Sequence, residues 1–183
     1  FDLVNDEKQK IIVNCAGRTR SIIGAQSLIN AGVPNQVVAL RNGTMGWALE
    51  GFPLEIGSDR TFPKISPKGM ESALDYADRV AKRFGIEEIT MDLLQTWQKQ
   101  KNIKSLFLLD VRNPDEYEEG HLPGSISAPG GQLVQATDKW AGVLKGYLIL
   151  IDDNGVRATM TASWLKQMGY EVYLYNDKTE KLD

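Results

Sequence analysis

Sulfur and imidazole are scarce in this chain of 183 residues, which has one cysteine and one histidine. A single cysteine excludes an intrachain disulfide framework. A single histidine leaves no cluster of metal ligands at useful spacing, so neither a metal nor another cofactor is expected. Long apolar runs are also absent: none approaches the roughly 20 residues of a membrane-spanning helix, and no membrane partner is expected. Positive charge is not in excess, since 21 Lys+Arg against 24 Asp+Glu give a net charge of -3 and a pI of about 5.3. Binders of nucleic acid usually carry a basic stripe, so that partner class is not expected either. No charged-apolar-small leader opens the chain, which points to a cytoplasmic location. The chain starts at Phe1 without methionine, so a processed product that has lost a targeting segment stays open. What remains, 42% hydrophobic and 25% charged, is an ordinary globular composition for one domain or two small ones.

The one cysteine stands at a telling place. Ile11-Ile12-Val13 is a short β-branched run that reads as a buried strand, and Ile22, Ala25, Leu28 and Ile29 recur at helical spacing. Between them lies Asn14-Cys15-Ala16-Gly17-Arg18-Thr19-Arg20-Ser21. A strand, a tight loop and a helix start in this order aim successive backbone N–H groups into the loop and hold an anion without metal. Arg18 and Arg20 add two positive charges. A thiol so placed ionises more readily than a free cysteine, and the thiolate is the nucleophile. A lone cysteine is more often a buried, inert small hydrophobe, but the adjacent glycine and arginines argue against an apolar niche. Protein tyrosine phosphatase loops place their arginine one position further on, where this chain has Ser21, so the shorter loop here suits a smaller anion.

Cys15-Ala16-Gly17-Arg18-Thr19-Arg20-Ser21, then an apolar helix, then Asn42-Gly43-Thr44-Met45-Gly46-Trp47-Ala48-Leu49-Glu50-Gly51-Phe52-Pro53-Leu54, resembles the C-terminal half of a rhodanese domain. The resemblance implies a sulfurtransferase that carries sulfane sulfur as a persulfide on Cys15. It implies that the N–H groups of Ala16, Gly17, Arg18, Thr19 and Arg20 stabilise that sulfur, with Ser21 closing the substrate-binding loop. Arg18 and Arg20 would orient an anionic donor of the thiosulfate or mercaptopyruvate type, and a thiol or cyanide would accept the sulfur.

Further along, Gly32 is a plausible helix end, Val37-Val38-Ala39-Leu40 reads as a second strand, and Asn42-Gly43 opens a turn. Trp47 is read as packing the following segment onto the core. Residues 57–67 read as a linker. Ser66-Pro67 starts a helix whose stripe Met70, Leu74, Ala77, Ala81 and Phe84 is read as packing between two domains. Thr90 caps a helix through about Lys101. Leu106 to Leu109 is a strand covered on both faces, and Asn113 with Glu116 forms a capping box. Gly120 to Ser125 turns into a short strand from Ile126 to Ala128. The run from Asp110 to Ser125 resembles the N-terminal signature of a rhodanese domain. By that resemblance Asp110 and Arg112 form an internal ion pair, while His121 is read as tying a turn.

The chain repeats itself. Tyr147 to Ala158 aligns without gaps on Lys10 to Ser21, and Ala162, Leu165 and Gly169 continue at the same offset onto Ala25, Leu28 and Gly32. Val172 to Asn176 then matches Val38 to Asn42. Arg157 falls on Arg20, but Asp152 takes the place of Cys15. A carboxylate cannot accept sulfane sulfur and would repel an anionic donor, so the second copy is expected to be catalytically silent. A phosphoryl-acceptor role for Asp152 is disfavoured, with Asp153 beside it and no lysine in the loop.

The expected fold is α/β, a rhodanese-like three-layer arrangement with a central parallel sheet flanked by helices, in one partial and one complete copy. Residues 1–57 form the C-terminal half-domain with the cysteine loop, 58–86 the linker and inter-domain helix, and 87–183 a complete domain without the cysteine. The complete copy has a front half ahead of its loop, whereas only about ten polar residues precede the strand of the Cys15 copy. The chain is therefore expected to be a remnant of a longer protein, cut or built upstream of Phe1. Its missing front half would carry another Asp-Val-Arg-like strand end and bind as a separate chain or come from a second copy. Three functions survive: sulfur transfer through Cys15, a phosphatase or arsenate-reductase-like thiolate enzyme, and a non-catalytic sulfur-binding or regulatory module.

Overall fold

Leu148, Ile149 and Leu150 are fully buried, because their strand lies in the middle of a sheet with both faces covered. The computed structural model describes residues 4, 6–57, 64–100 and 104–175. The chain divides into two compact units, Phe1–Tyr76 and Ala77–Asp183.

In the second unit the strands are β3 (Glu87–Glu88), β4 (Leu106–Asp110), β5 (Ile126–Ser127), β6 (Tyr147–Ile151) and β7 (Glu171–Tyr175). They form one sheet in the order β3-β7-β6-β4-β5, with every pairing parallel. Parallel strands need crossovers, which α4 (Met91–Lys99), α5 (Pro114–Glu119), α6 (Gly130–Gln135) and α7 (Val156–Gln167) supply. Ile149 and Ile151 pack with Ile89, Leu94, Leu108 and Tyr175 on one face, and partly buried Trp97 and Tyr147 stack there with ring centroids 4.4 Å apart. By strand alternation Leu148 and Leu150 point to the other face, where α7 lies against β6 and β7 with Ala158, Ala162 and Leu165 buried. Each fully buried leucine or isoleucine contributes about 2 kcal/mol. This is the α/β architecture, a central parallel sheet flanked by helices, expected from the apolar runs.

The first unit holds β1 (Ile11–Val13), α1 (Thr19–Ala31), β2 (Val37–Ala39), α2 (Gly43–Leu49) and the start of α3 (Pro67–Phe84). β1 and β2 pair in parallel, Ile11 opposite Val37. Gly32 ends α1 at φ 82°, ψ 32°, with its N–H on the Ile29 carbonyl and the Val33 N–H on that of Leu28. Ser66 caps α3, its Oγ accepting the Gly69 N–H at 3.0 Å. Within α3, Ala77 and Val80 are buried whereas Leu74 is 44% exposed. The expected boundaries at 57/58 and 86/87 lie on either side of the division between the units, and residues 58–63 of the expected linker lie outside the described residues.

Several readings shift. Asn42-Gly43 opens a helix instead of a simple turn, with Asn42 at φ 56°. Trp47 packs the following segment, as its pattern suggested, through a 4.6 Å ring contact with Phe52 and an Nε1–H bond to the Pro53 carbonyl, but it stays 40% exposed. α4 ends at Lys99, and Lys101 lies outside the described residues. The strand ladders align Val172 with Val37, because Val37 faces Ile11 and Val172 faces Leu148. The match of Val172 to Val38 is therefore one residue out; the first unit has a longer connection after its glycine, held where the Asn35 amide donates to the Asp6 and Gln9 carbonyls. Asn176 lies outside the described residues.

Candidate functional site

The loop from Asn14 to Arg18 leaves the C-terminal end of β1 and enters α1 at Thr19, which brings Cys15 beside Ser21 one turn into the helix. Ser21 is 1% exposed, and its Oγ donates to the Arg18 carbonyl at 2.9 Å while accepting the Cys15 thiol at 3.5 Å. The cysteine is partly exposed. Its pKa lies below the ordinary thiol value, first through the Ser21 side chain, opposed by partial burial, and then through the Ser21 and Gly17 N–H groups and the Arg20 charge. Arg18, Thr19 and Arg20 are exposed around it, as is Ala16, while Gly17 is half-buried. Of the two arginines, Arg20 contributes its positive charge to this lowering. The arrangement offers an ionisable, partly exposed sulfur beside the Ser21 and Gly17 N–H groups and the Arg20 charge, which suits nucleophilic chemistry on an anion.

The matching loop after β6 is built alike and filled differently. Asp152, 8% exposed, turns its carboxylate inward: Oδ1 accepts the Gly155 N–H at 2.6 Å and Oδ2 the Ala158 N–H at 3.0 Å. One of these donors, the Ala158 N–H, is the counterpart of the Ser21 N–H that faces the thiol in the first loop. Burial raises the Asp152 pKa, against the Ala158 and Gly155 donors that lower it. Arg157 is tied down by Glu116 at 2.6 and 2.9 Å and by Asp153 at 2.9 Å. Asp110, fully buried, holds Arg112 at 2.7 Å, and the same guanidinium donates to the Gly120 carbonyl at 2.6 Å. The His121 ring donates from Nδ1 to the Tyr117 carbonyl at 2.8 Å and stacks on the Tyr117 ring, which ties the turn. No group of metal-ligating side chains occurs among the described residues, and none of their helices is long and apolar enough to cross a membrane.

The family of the Rhodanese-like domain matches residues 90–181, half of the chain. The chain belongs to the rhodanese-like family. Over its whole length this rhodanese-like chain is similar to the crystal structure of thiosulfate sulfurtransferase from Pseudomonas aeruginosa, with 53% identity and a TM-score of 0.91, covering 34% of that chain. It is also 31% identical over 86 residues, 47% of this chain and 44% of the relative, to YrkF of Bacillus subtilis (strain 168), whose name proposes a sulfur carrier. The chain thus spans less than half the length of the curated relative it matches and about a third of the solved structure.

Sequence reasoning placed both loops between a strand and a helix but missed what holds them. Gly43 and Thr44 touch the cysteine loop, and Glu116 clamps Arg157; neither partnership is visible in linear spacing. The Glu116–Arg157 pair carries a pH signature. Arg157 holds the Glu116 carboxyl at about 2, below its ordinary 4.5, so the pair stabilises above about pH 4.5 and its contribution fades as pH falls toward 2. Both side chains are about a third exposed, so screening limits the pair to about 1 kcal/mol. Glu116→Gln should therefore cost about 1 kcal/mol in urea unfolding at pH 7 and close to nothing near pH 2.5. An equal cost at both pH values would contradict this assignment.

Proposed function

We propose that this chain is a rhodanese-type sulfurtransferase acting through Cys15. The observation that carries the proposal is the partly exposed Cys15 thiol, its pKa lowered by Ser21, the Gly17 N–H and Arg20. The thiolate attacks the outer sulfur of an anionic donor such as thiosulfate. A new S–S bond forms to Cys15, the old S–S bond breaks, and sulfite leaves with the bonding pair. Main-chain N–H groups from Ala16 to Arg20 take up the negative charge on the resulting persulfide, while Arg18 and Arg20 hold the donor. Cyanide or an acceptor thiolate then attacks the outer persulfide sulfur and regenerates the Cys15 thiolate. The Pseudomonas aeruginosa thiosulfate sulfurtransferase, similar over this whole chain, supports the donor class.

The second loop is catalytically silent in this reading. Asp152 cannot become a persulfide, its carboxylate fills the donors of the loop, and Glu116 and Asp153 neutralise Arg157. The sheets support a structural partner: β6 is flanked by both β4 and β7, whereas among the described residues β1 pairs with β2 alone. That contrast supports a further parallel strand at the free edge of β1, from a half-domain in the same or a separate chain.

Two transfers through one covalent intermediate require ping-pong kinetics. Initial rates with thiosulfate varied at several fixed cyanide concentrations should give parallel double-reciprocal lines. Intersecting lines would contradict the persulfide route.

A further inference from the structure

The carbonyls of the cysteine loop face a neighbour. The Cys15 carbonyl accepts the Thr44 N–H at 3.0 Å, and the Ala16 carbonyl accepts the Met45 N–H at 3.0 Å. Thr44 reinforces the first contact: its hydroxyl reaches the Cys15 carbonyl at 3.4 Å and accepts the Asn14 side-chain amide at 3.1 Å. Gly43, buried at φ +59°, sits so close that a Cβ built on it would overlap the carbonyl oxygens of Cys15 and Gly17. A glycine is required there twice over, by backbone conformation and by space.

A trans peptide unit points its C=O and the following N–H in opposite directions. With the Cys15 and Ala16 carbonyls fixed on the first turn of α2, the N–H groups of Ala16 and Gly17 must point away from α2. We infer that Gly43 and Thr44 are positioning residues for Cys15: Gly43 lets the first turn of α2 come close enough for the Thr44 and Met45 N–H groups to hold the Cys15 and Ala16 carbonyls outward, so that the N–H groups of Ala16 and Gly17 stay turned toward the sulfur. The Gly17 N–H, which belongs to the peptide clamped by Met45, is one of the donors that lower the Cys15 pKa. The inference rests on the proposed role of Cys15, although its geometry involves no donor or acceptor of sulfur.

The test reads the thiol itself. Cys15 is the only cysteine, so alkylation of the full chain by iodoacetamide across pH reports its ionisation alone. Gly43→Ala should move the alkylation midpoint to higher pH and slow the neutral-pH rate by roughly threefold to tenfold, through the smaller thiolate fraction. Thr44→Val, which keeps shape and loses the hydroxyl, should shift the midpoint the same way by a smaller amount, and Thr44→Ser should restore it. A role confined to stability would lower the unfolding midpoint without moving the pH profile. If Gly43→Ala does not fold, Thr44→Val against Thr44→Ser decides. An unchanged midpoint in a folded Gly43→Ala, or in Thr44→Val when Gly43→Ala does not fold, overturns the inference, even if the wild type takes up sulfur. A shifted midpoint in a protein that transfers no sulfur supports it and overturns the proposed function alone.

Discussion

Cys15→Ser should reduce thiosulfate:cyanide transfer to the rate without enzyme. A serine hydroxyl is unionised at neutral pH and forms no persulfide, so the covalent carrier is removed while the side chain keeps nearly the same shape. The neighbours should tolerate the change. Cys15 is partly exposed and its one side-chain hydrogen bond, to Ser21, has another hydroxyl as partner. The unfolding midpoint should therefore move little, within about 0.5 kcal/mol, typical of a change that leaves no buried group unpaired. Arg20→Ala should give a different pattern, weaker donor capture with sulfur transfer still detectable, because the main-chain donors remain. Both variants are read in the same assay, with urea unfolding as the control for folding. Residual transfer in Cys15→Ser would exclude the assignment of the nucleophile.

In the second unit the largest expected effect is on stability. Asp110 is fully buried at the end of β4, where its carboxylate accepts from the Arg112 main chain at 3.0 Å, from Nε at 3.0 Å and from Nη2 at 2.7 Å. Through Arg112 it also holds the Gly120 carbonyl, and so fixes the loop that leads back to β5. Asp110→Ala leaves a largely buried guanidinium without its counter-charge, a loss of about 3–5 kcal/mol. Against a domain stability of about 5–15 kcal/mol, that is enough to shift urea unfolding far to lower concentration. The double variant Asp110→Ala/Arg112→Met should recover part of the loss, since it removes the stranded charge as well. Trp97, Trp140 and Trp164 lie in this unit and report its unfolding by fluorescence. A single variant as stable as wild type would show that the pair does not hold the unit together.

The elements that were legible in the sequence carry their own signal. Tyr147 to Ile151 is apolar throughout because both sheet faces are covered, and Ser66-Pro67 and Gly32 mark helix ends through local backbone chemistry alone. Cys15 and Asp152 stand out because the repeat aligns them. What the sequence hid depends on a partner elsewhere in the chain. Glu87–Glu88 is a strand only because β7 offers it main-chain bonds, and two exposed glutamates have little strand propensity of their own. The inward turn of the Asp152 carboxylate, the capture of Arg157 by Glu116 and the contact of Gly43 with the Cys15 carbonyl join residues that no local pattern relates. The one-residue slip at Val172 has the same origin: helical spacing fixes α7, but only the ladder fixes the register of β7.

Cys15 as a carrier of sulfur is tested most directly by weighing the protein. After incubation with thiosulfate and removal of excess donor, the intact mass should rise by one sulfur atom, the gain should map to the peptide containing Cys15, and cyanide should remove it. An unchanged mass after incubation, or a gain that persists in Cys15→Ser, would contradict the account.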